Sequence, residues 1–216
     1  AIMRDKETLQ TAEVVERQAT IYYQLADYEK AIEKFDFLRR MEKANFSLSA
    51  LEIFCNSRAK FEVQSVYRAG GSLSTVAERK DFRNAQSRSY DQVLQVITEL
   101  GLLLKVSQTA ERLNLLGSTY KRLSMLASDN DAIIDALKRA FVYYKAAYDY
   151  YKKGNVIYPL TNAAELSIIL NLSDLDNSEK STIDFNANQY IPLDPKEKEK
   201  NETRKPITSL KLGRYS

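Results

Sequence analysis

Histidine is absent from this chain, and so is tryptophan. Without an imidazole there is no serine triad, no histidine general base and no histidine metal ligand. A single cysteine, Cys55, rules out an internal disulfide. Its setting among Leu51, Phe54 and Ala59 reads as a small buried hydrophobe, with no base nearby to activate the thiol. The four prolines begin only at Pro159, and there are six glycines. So long a stretch without proline favours helices and argues against a turn-rich β fold. No CxxC pair, glycine-rich phosphate loop or GxxxxGK[ST] motif occurs, so neither a cofactor nor catalysis is expected. The carboxylates are scattered among lysines, as on solvated helix faces. No signal peptide and no membrane-spanning run is apparent, which leads to a cytoplasmic expectation.

What remains is a 216-residue chain that is 44% hydrophobic, with 14 tyrosines supplying most of its aromatic surface. The net charge of +3 is unevenly placed. Residues 186–216 hold seven Lys/Arg against four Asp/Glu, so residues 1–185 hold 25 of each sign. A neutral body gives little of the field that drives non-specific nucleic-acid binding. Nucleic acid is therefore a disfavoured partner, although Lys121-Arg122, Lys138-Arg139 and Lys152-Lys153 leave a basic strip as an alternative reading.

Helical periodicity organises the chain from residue 11 to residue 171. Residues 1–10 read as a lead-in and 172–216 as a polar, largely irregular linker or tail. Thr11 suits the cap of a helix over 11–25, with Val15, Ala19 and Tyr22 on its apolar face. Asp27 and Tyr28 open a second helix carrying Ala31, Ile32, Phe35 and Leu38. A third is expected over 49–68, where Ser49 and Glu52 have capping-box spacing. Thr75 and Glu78 offer another capping box, and Val93, Ile97, Leu100 and Leu104 make a strong stripe. Whether one helix joins the two is left open by the periodicity. After Ser128-Asp129-Asn130-Asp131, one face gathers Ile133, Leu137, Ala140, Phe141, Tyr144, Tyr148 and Tyr151. Tyr143 and Tyr150 fall off that stripe and are candidates for a partner surface. A last helix is expected over 160–170, with Pro159 in its first turn.

The central stretch is residues 111–126. Leu113, Leu116, Tyr120 and Leu123 line one face, and Gly117 interrupts it, at a cost of about 1 kcal/mol relative to alanine. Such a glycine belongs where a neighbouring helix approaches closely. Ala19 to Ala31 spans twelve residues and Ala31-x-x-x-Phe35 follows, a pattern that resembles a tetratricopeptide unit. Gly117 to Ala140 spans twenty-three, so that unit has longer helices or a longer connection.

The run from Thr109 to Arg122 resembles the T-x-ER-x-x-LLGS-x-YKR signature of a divergent tetratricopeptide family. Ala50-Leu51-Glu52, Asn56-x-Arg58 and Tyr158-Pro159-Leu160-Thr161-Asn162-Ala163-Ala164 resemble its other landmarks, the last with Leu160-Thr161 in place of a glycine-isoleucine pair. The family is the TRAF-binding-type domain of apoptosis signal-regulating kinases. Its bacterial relatives join such a domain to caspase-like, CHAT or TIR effectors. The resemblance implies an all-α fold of antiparallel helix pairs stacked as a right-handed solenoid. It also implies a non-catalytic regulatory module, cut from a larger signalling or defence protein. The partner would be a protein or peptide, or an effector in the same full-length chain; a structural homo-oligomerisation module is the other alternative.

In such a solenoid the first helices of each pair line a concave groove. That register turns Asn114, Ser118, Lys121 and Arg122 toward the groove, with Tyr23 and Gln24 from the first unit. Asn162, in the downstream landmark, completes the candidate partner-binding set.

Overall fold

The structure, a computed structural model, describes residues 2–41, 47–70, 75–150 and 157–170, with residues 2–10 as backbone alone. Seven α-helices account for nearly all of these: α1 (Ile2–Gln24), α2 (Tyr28–Arg40), α3 (Leu48–Ala69), α4 (Val76–Val106), α5 (Ala110–Leu126), α6 (Asn130–Tyr150) and α7 (Ile157–Ile169). The tail expected over 172–216, and Tyr151 and Lys152-Lys153, lie outside the described residues.

Local chemistry sets most of the boundaries. Thr75 and Glu78 form the full capping box, each side chain accepting the other's backbone N–H. Thr109 Oγ1 accepts from the N–H of Arg112 and Asp129 Oδ1 from that of Ala132, which satisfies first-turn donors of α5 and α6. From its box α4 runs unbroken for 31 residues, which settles the continuity that periodicity alone left open. Two starts differ from expectation. The first helix begins at Ile2 rather than at a Thr11 cap. α3 is capped by Ser47 rather than Ser49: Ser47 Oγ accepts from Ala50 N–H at 3.0 Å and donates to Glu16 of α1 at 2.8 Å. That tertiary tie fixes the entry two residues early.

The helices pack in sequence, each against the next, and the first members of successive pairs also touch, α1 with α3 and α3 with α5. Stacked antiparallel pairs with α1, α3 and α5 on one side make a helical-repeat solenoid, as expected. The main core runs from α3 to α7. Leu100, Leu113, Leu116, Tyr144 and Leu166 lie at its centre, all but inaccessible to solvent. Ala19 and Phe35 of the first pair instead meet Ala50 and Phe54 of α3 in a smaller cluster, with the Phe35 and Phe54 rings 5.5 Å apart. At Gly117 the Tyr144 ring lies directly over the backbone, and a Cβ there would sit only 3.0 Å from Tyr144 Cγ. Glycine is what lets α6 approach α5.

Tyr143, expected on a partner surface, is buried, with its ring stacked on Tyr120 at 5.5 Å. α5 and α6 bury a wider face than one stripe because each lies between two neighbouring helices.

Candidate binding groove

Successive turns of α3 present Glu52, Asn56 and Lys60, spaced four apart, and α5 presents Asn114, Ser118 and Arg122 in the same way. Residues four apart share a helix face, so two polar stripes confront each other across the concave side. Tyr23 of α1 and Tyr158 of α7 close the two ends, and Ile53, Leu115 and Glu111 complete a groove of about 390 Å³.

α5 carries the signature stretch, and its residues divide by direction. Leu116, Gly117 and Tyr120 are core. Arg112 is buried rather than exposed: its Nε donates to Glu52 at 2.7 Å, and Nη1 donates to the carbonyls of Leu103 and Ser107. One guanidinium thereby fixes the α3 carboxylate and satisfies the terminal carbonyls of α4. Ser118 donates to the Leu115 carbonyl at 2.9 Å and accepts from Arg122 Nη1 at 3.0 Å, which holds the guanidinium over the groove.

Arg122 has no carboxylate partner among the described residues; its hydrogen bond is to a neutral hydroxyl. Burial lowers its pKa from the ordinary arginine value, opposed by Tyr144, Tyr158, Tyr23 and Tyr28. An arginine so placed still holds its proton. Lys60 is in the same condition. Its Nζ lies 4.8 and 5.1 Å from the ring centroids of Tyr23 and Tyr28, and donates to the Tyr23 hydroxyl at 3.4 Å. Asn56 Nδ2 donates to the same hydroxyl at 2.7 Å. The amide oxygens Asn56 Oδ1 and Asn114 Oδ1 are buried without a hydrogen-bond partner. At the α7 end the Tyr144 and Tyr158 hydroxyls lie 3.5 Å apart, and burial with this contact raises the pKa of Tyr144.

Of the residues expected at the site, the structure brings Tyr23, Asn114, Ser118 and Arg122 together. Gln24 is exposed at the end of α1 and does not line the groove. Lys121 turns toward α7, where its Nζ binds Glu165 at 2.6 Å and Asn162 Oδ1 at 3.4 Å. Asn162 in turn donates to the Tyr158 carbonyl, so this pair anchors α7 rather than facing the groove. Adjacent helical residues point about 100° apart, so Lys121 and Arg122 cannot share a direction. Of the residues in the basic-strip reading, Arg122 faces the groove and Arg139 pairs with Asp135 at 2.7 Å, while Lys152-Lys153 lie outside the described residues. Lys60, Asn56 and Tyr158 join the site without having been singled out for it. Asn56 and Tyr158 stood in the family landmarks, and the Glu52-Asn56-Lys60 spacing was the available signal.

Elsewhere, Cys55 is buried, and desolvation together with neighbouring Glu99 pushes its thiol up to about 12. It is therefore unreactive at neutral pH. Among the described residues no cluster of candidate metal ligands occurs, and no helix is long and apolar enough to cross a membrane.

Comparison with known proteins adds one finding. The family model described as Tetratricopeptide Repeats-Sensor matches residues 27–167. No curated protein and no solved structure matches the chain.

Proposed function

The chain belongs to the Tetratricopeptide Repeats-Sensor family, and from that membership we propose that it is a non-catalytic module whose concave groove holds a segment of a partner protein. The observation that carries this reading is the convergence of Tyr23, Asn56, Asn114, Ser118, Arg122 and Tyr158 from four helices on one groove. A site built on helices holds its side chains more precisely than one built on loops. The partner is a separate protein, or an effector elsewhere in a longer signalling or defence protein that the module restrains. In either case the chemistry resides in the partner.

A photo-crosslinking amino acid placed at Tyr158, at the groove's end, tests this in the native cell. Phe37, exposed on α2 and absent from the groove lining, is the comparison site. Defined protein adducts are expected from position 158 and not from position 37. Identical adducts from both, or none from either, would remove the groove from consideration.

A further inference from the structure

We propose that the outer face of α4, away from the groove, binds a second copy of this chain. The two α4 helices run antiparallel and cross at Thr98. Leu94 of each copy then meets Leu102 of the other, and Asp91 meets Lys105.

α4 has two contrasting faces. Val93, Val96, Leu100, Leu103 and Leu104 are buried and pack the helix onto α3 and α5. On the opposite side Leu94, Thr98, Leu102 and Val106 recur every four residues and form one ridge. Leu94 is 39%, Leu102 58% and Val106 68% exposed. Single apolar side chains on a surface are ordinary, but a continuous apolar ridge marks a contact surface.

Gly101 is a second, independent observation. It stands inside the 31-residue α4, where glycine is unfavourable relative to alanine. At Gly117 the Tyr144 ring accounts for the glycine, whereas at Gly101 a Cβ would meet nothing within 4 Å among the described residues. No packing among those residues calls for it. Gly101 lies beside Thr98 and Leu102 at the centre of the ridge, where a small residue lets a second helix backbone approach closely.

Charge selects the occupant and its direction. Asp91 and Lys105 are exposed on this face, each seven residues from Thr98. Neither forms an ion pair among the described residues. Glu99, at the margin of the face, is held by Arg58 of α3 at 2.7 Å. In an antiparallel pair centred on Thr98, each Asp91 falls opposite a Lys105, and the two-fold axis makes that contact twice. A parallel pair would set Asp91 against Asp91 and Lys105 against Lys105, which repel. The face is thus complementary to itself, as a two-fold interface requires. One helix face is smaller than the roughly 1,600 Å² of a standard interface, so association in the micromolar range is expected.

Sedimentation equilibrium of the whole chain from roughly 1 to 300 µM tests this. A monomer–dimer equilibrium is expected, and Leu102→Asp should raise its Kd about tenfold or more. Leu102 is exposed in the single chain, so helicity and Tm should be unchanged. Asp91→Lys alone and Lys105→Asp alone should each weaken the dimer by a similar factor. Combining the two restores opposite charges across the axis and should recover dimerisation, a result that no loss of folding can imitate. A dimer indifferent to Leu102→Asp belongs to another surface and overturns the proposal. Failure of the paired charge reversal to recover the dimer overturns the antiparallel register. A monomer at every concentration overturns self-association, and a Tm lowered by Leu102→Asp would then assign the ridge to another segment of the same chain.

Discussion

The first helix pair matches the tetratricopeptide pattern best, and the third holds the densest packing. In α1–α2 the twelve-residue spacing from Ala19 to Ala31 is kept, yet Ile21, Leu25 and Phe37 are exposed and the buried clusters are small. In α5–α6 the corresponding spacing is twenty-three, and buried side chains from both helices enter the main core. The connections do not account for the difference, because residues 25–27 and 127–129 are equally short. All eleven additional residues are helical. They move the closest approach, Gly117 under Tyr144, away from the turn and toward the middle of both helices. A repeat pattern describes where the chain turns; how much it buries depends on neighbours. The first pair has one neighbouring helix, α3, whereas the third packs between α4 and α7.

If that contrast is right, the largest losses should come from the third unit. Arg112→Ala removes the buried donor to Glu52 and to the Ser107 carbonyl, and one of the two donors to the Leu103 carbonyl. It should cost about 3–5 kcal/mol in urea unfolding. A loss below about 1 kcal/mol would show that Arg112 does not couple the units. Next, Gly117→Leu forces the fully buried Tyr144 ring aside. A destabilisation of roughly 1–3 kcal/mol is expected by thermal melting, and an unchanged Tm would mean the α5–α6 interface is looser than described.

The smallest effect belongs to the first pair and runs the other way. Ala26 holds a left-handed conformation, φ 58°, at the α1–α2 turn, where the N–H of Asp27 reaches back to the Tyr22 carbonyl. Glycine adopts that conformation without the Cβ penalty, so Ala26→Gly should stabilise by about 1 kcal/mol. Hydrogen exchange should show the gain in α1 and α2 and little change in α5 and α6. A gain spread evenly over all seven helices would erase the distinction between the units.

Much of the fold was legible because it rests on local chemistry. Thr75 with Glu78 announces a helix start through side chains that satisfy nearby N–H groups, and the polar run holding Asp129 marks another. Gly117 was legible for a related reason, since a glycine in an apolar stripe implies a close neighbour. Ser47 was not, because its hold on Glu16 comes from a residue thirty-one positions away. Tyr143 was misplaced because a single stripe describes a helix with one neighbour, and α6 has α5 on one side and α7 on the other. At the groove, Asn114, Ser118 and Arg122 followed from the register of one helix. The Glu52-Asn56-Lys60 spacing places Lys60 on one face of α3, but that this face meets α5 is a tertiary fact no local pattern contains. Lys121 shows the complementary error: its charge matched the role, but Glu165 lies within its reach on α7.

Tyr158 belongs at once to the groove and to α7, a helix moored by Lys121 and by the Tyr144–Tyr158 contact. Occupancy and the docking of α7 are therefore thermodynamically reciprocal. A ligand that touches Tyr158 steadies α7, and anything that steadies α7 tightens that ligand by the same factor.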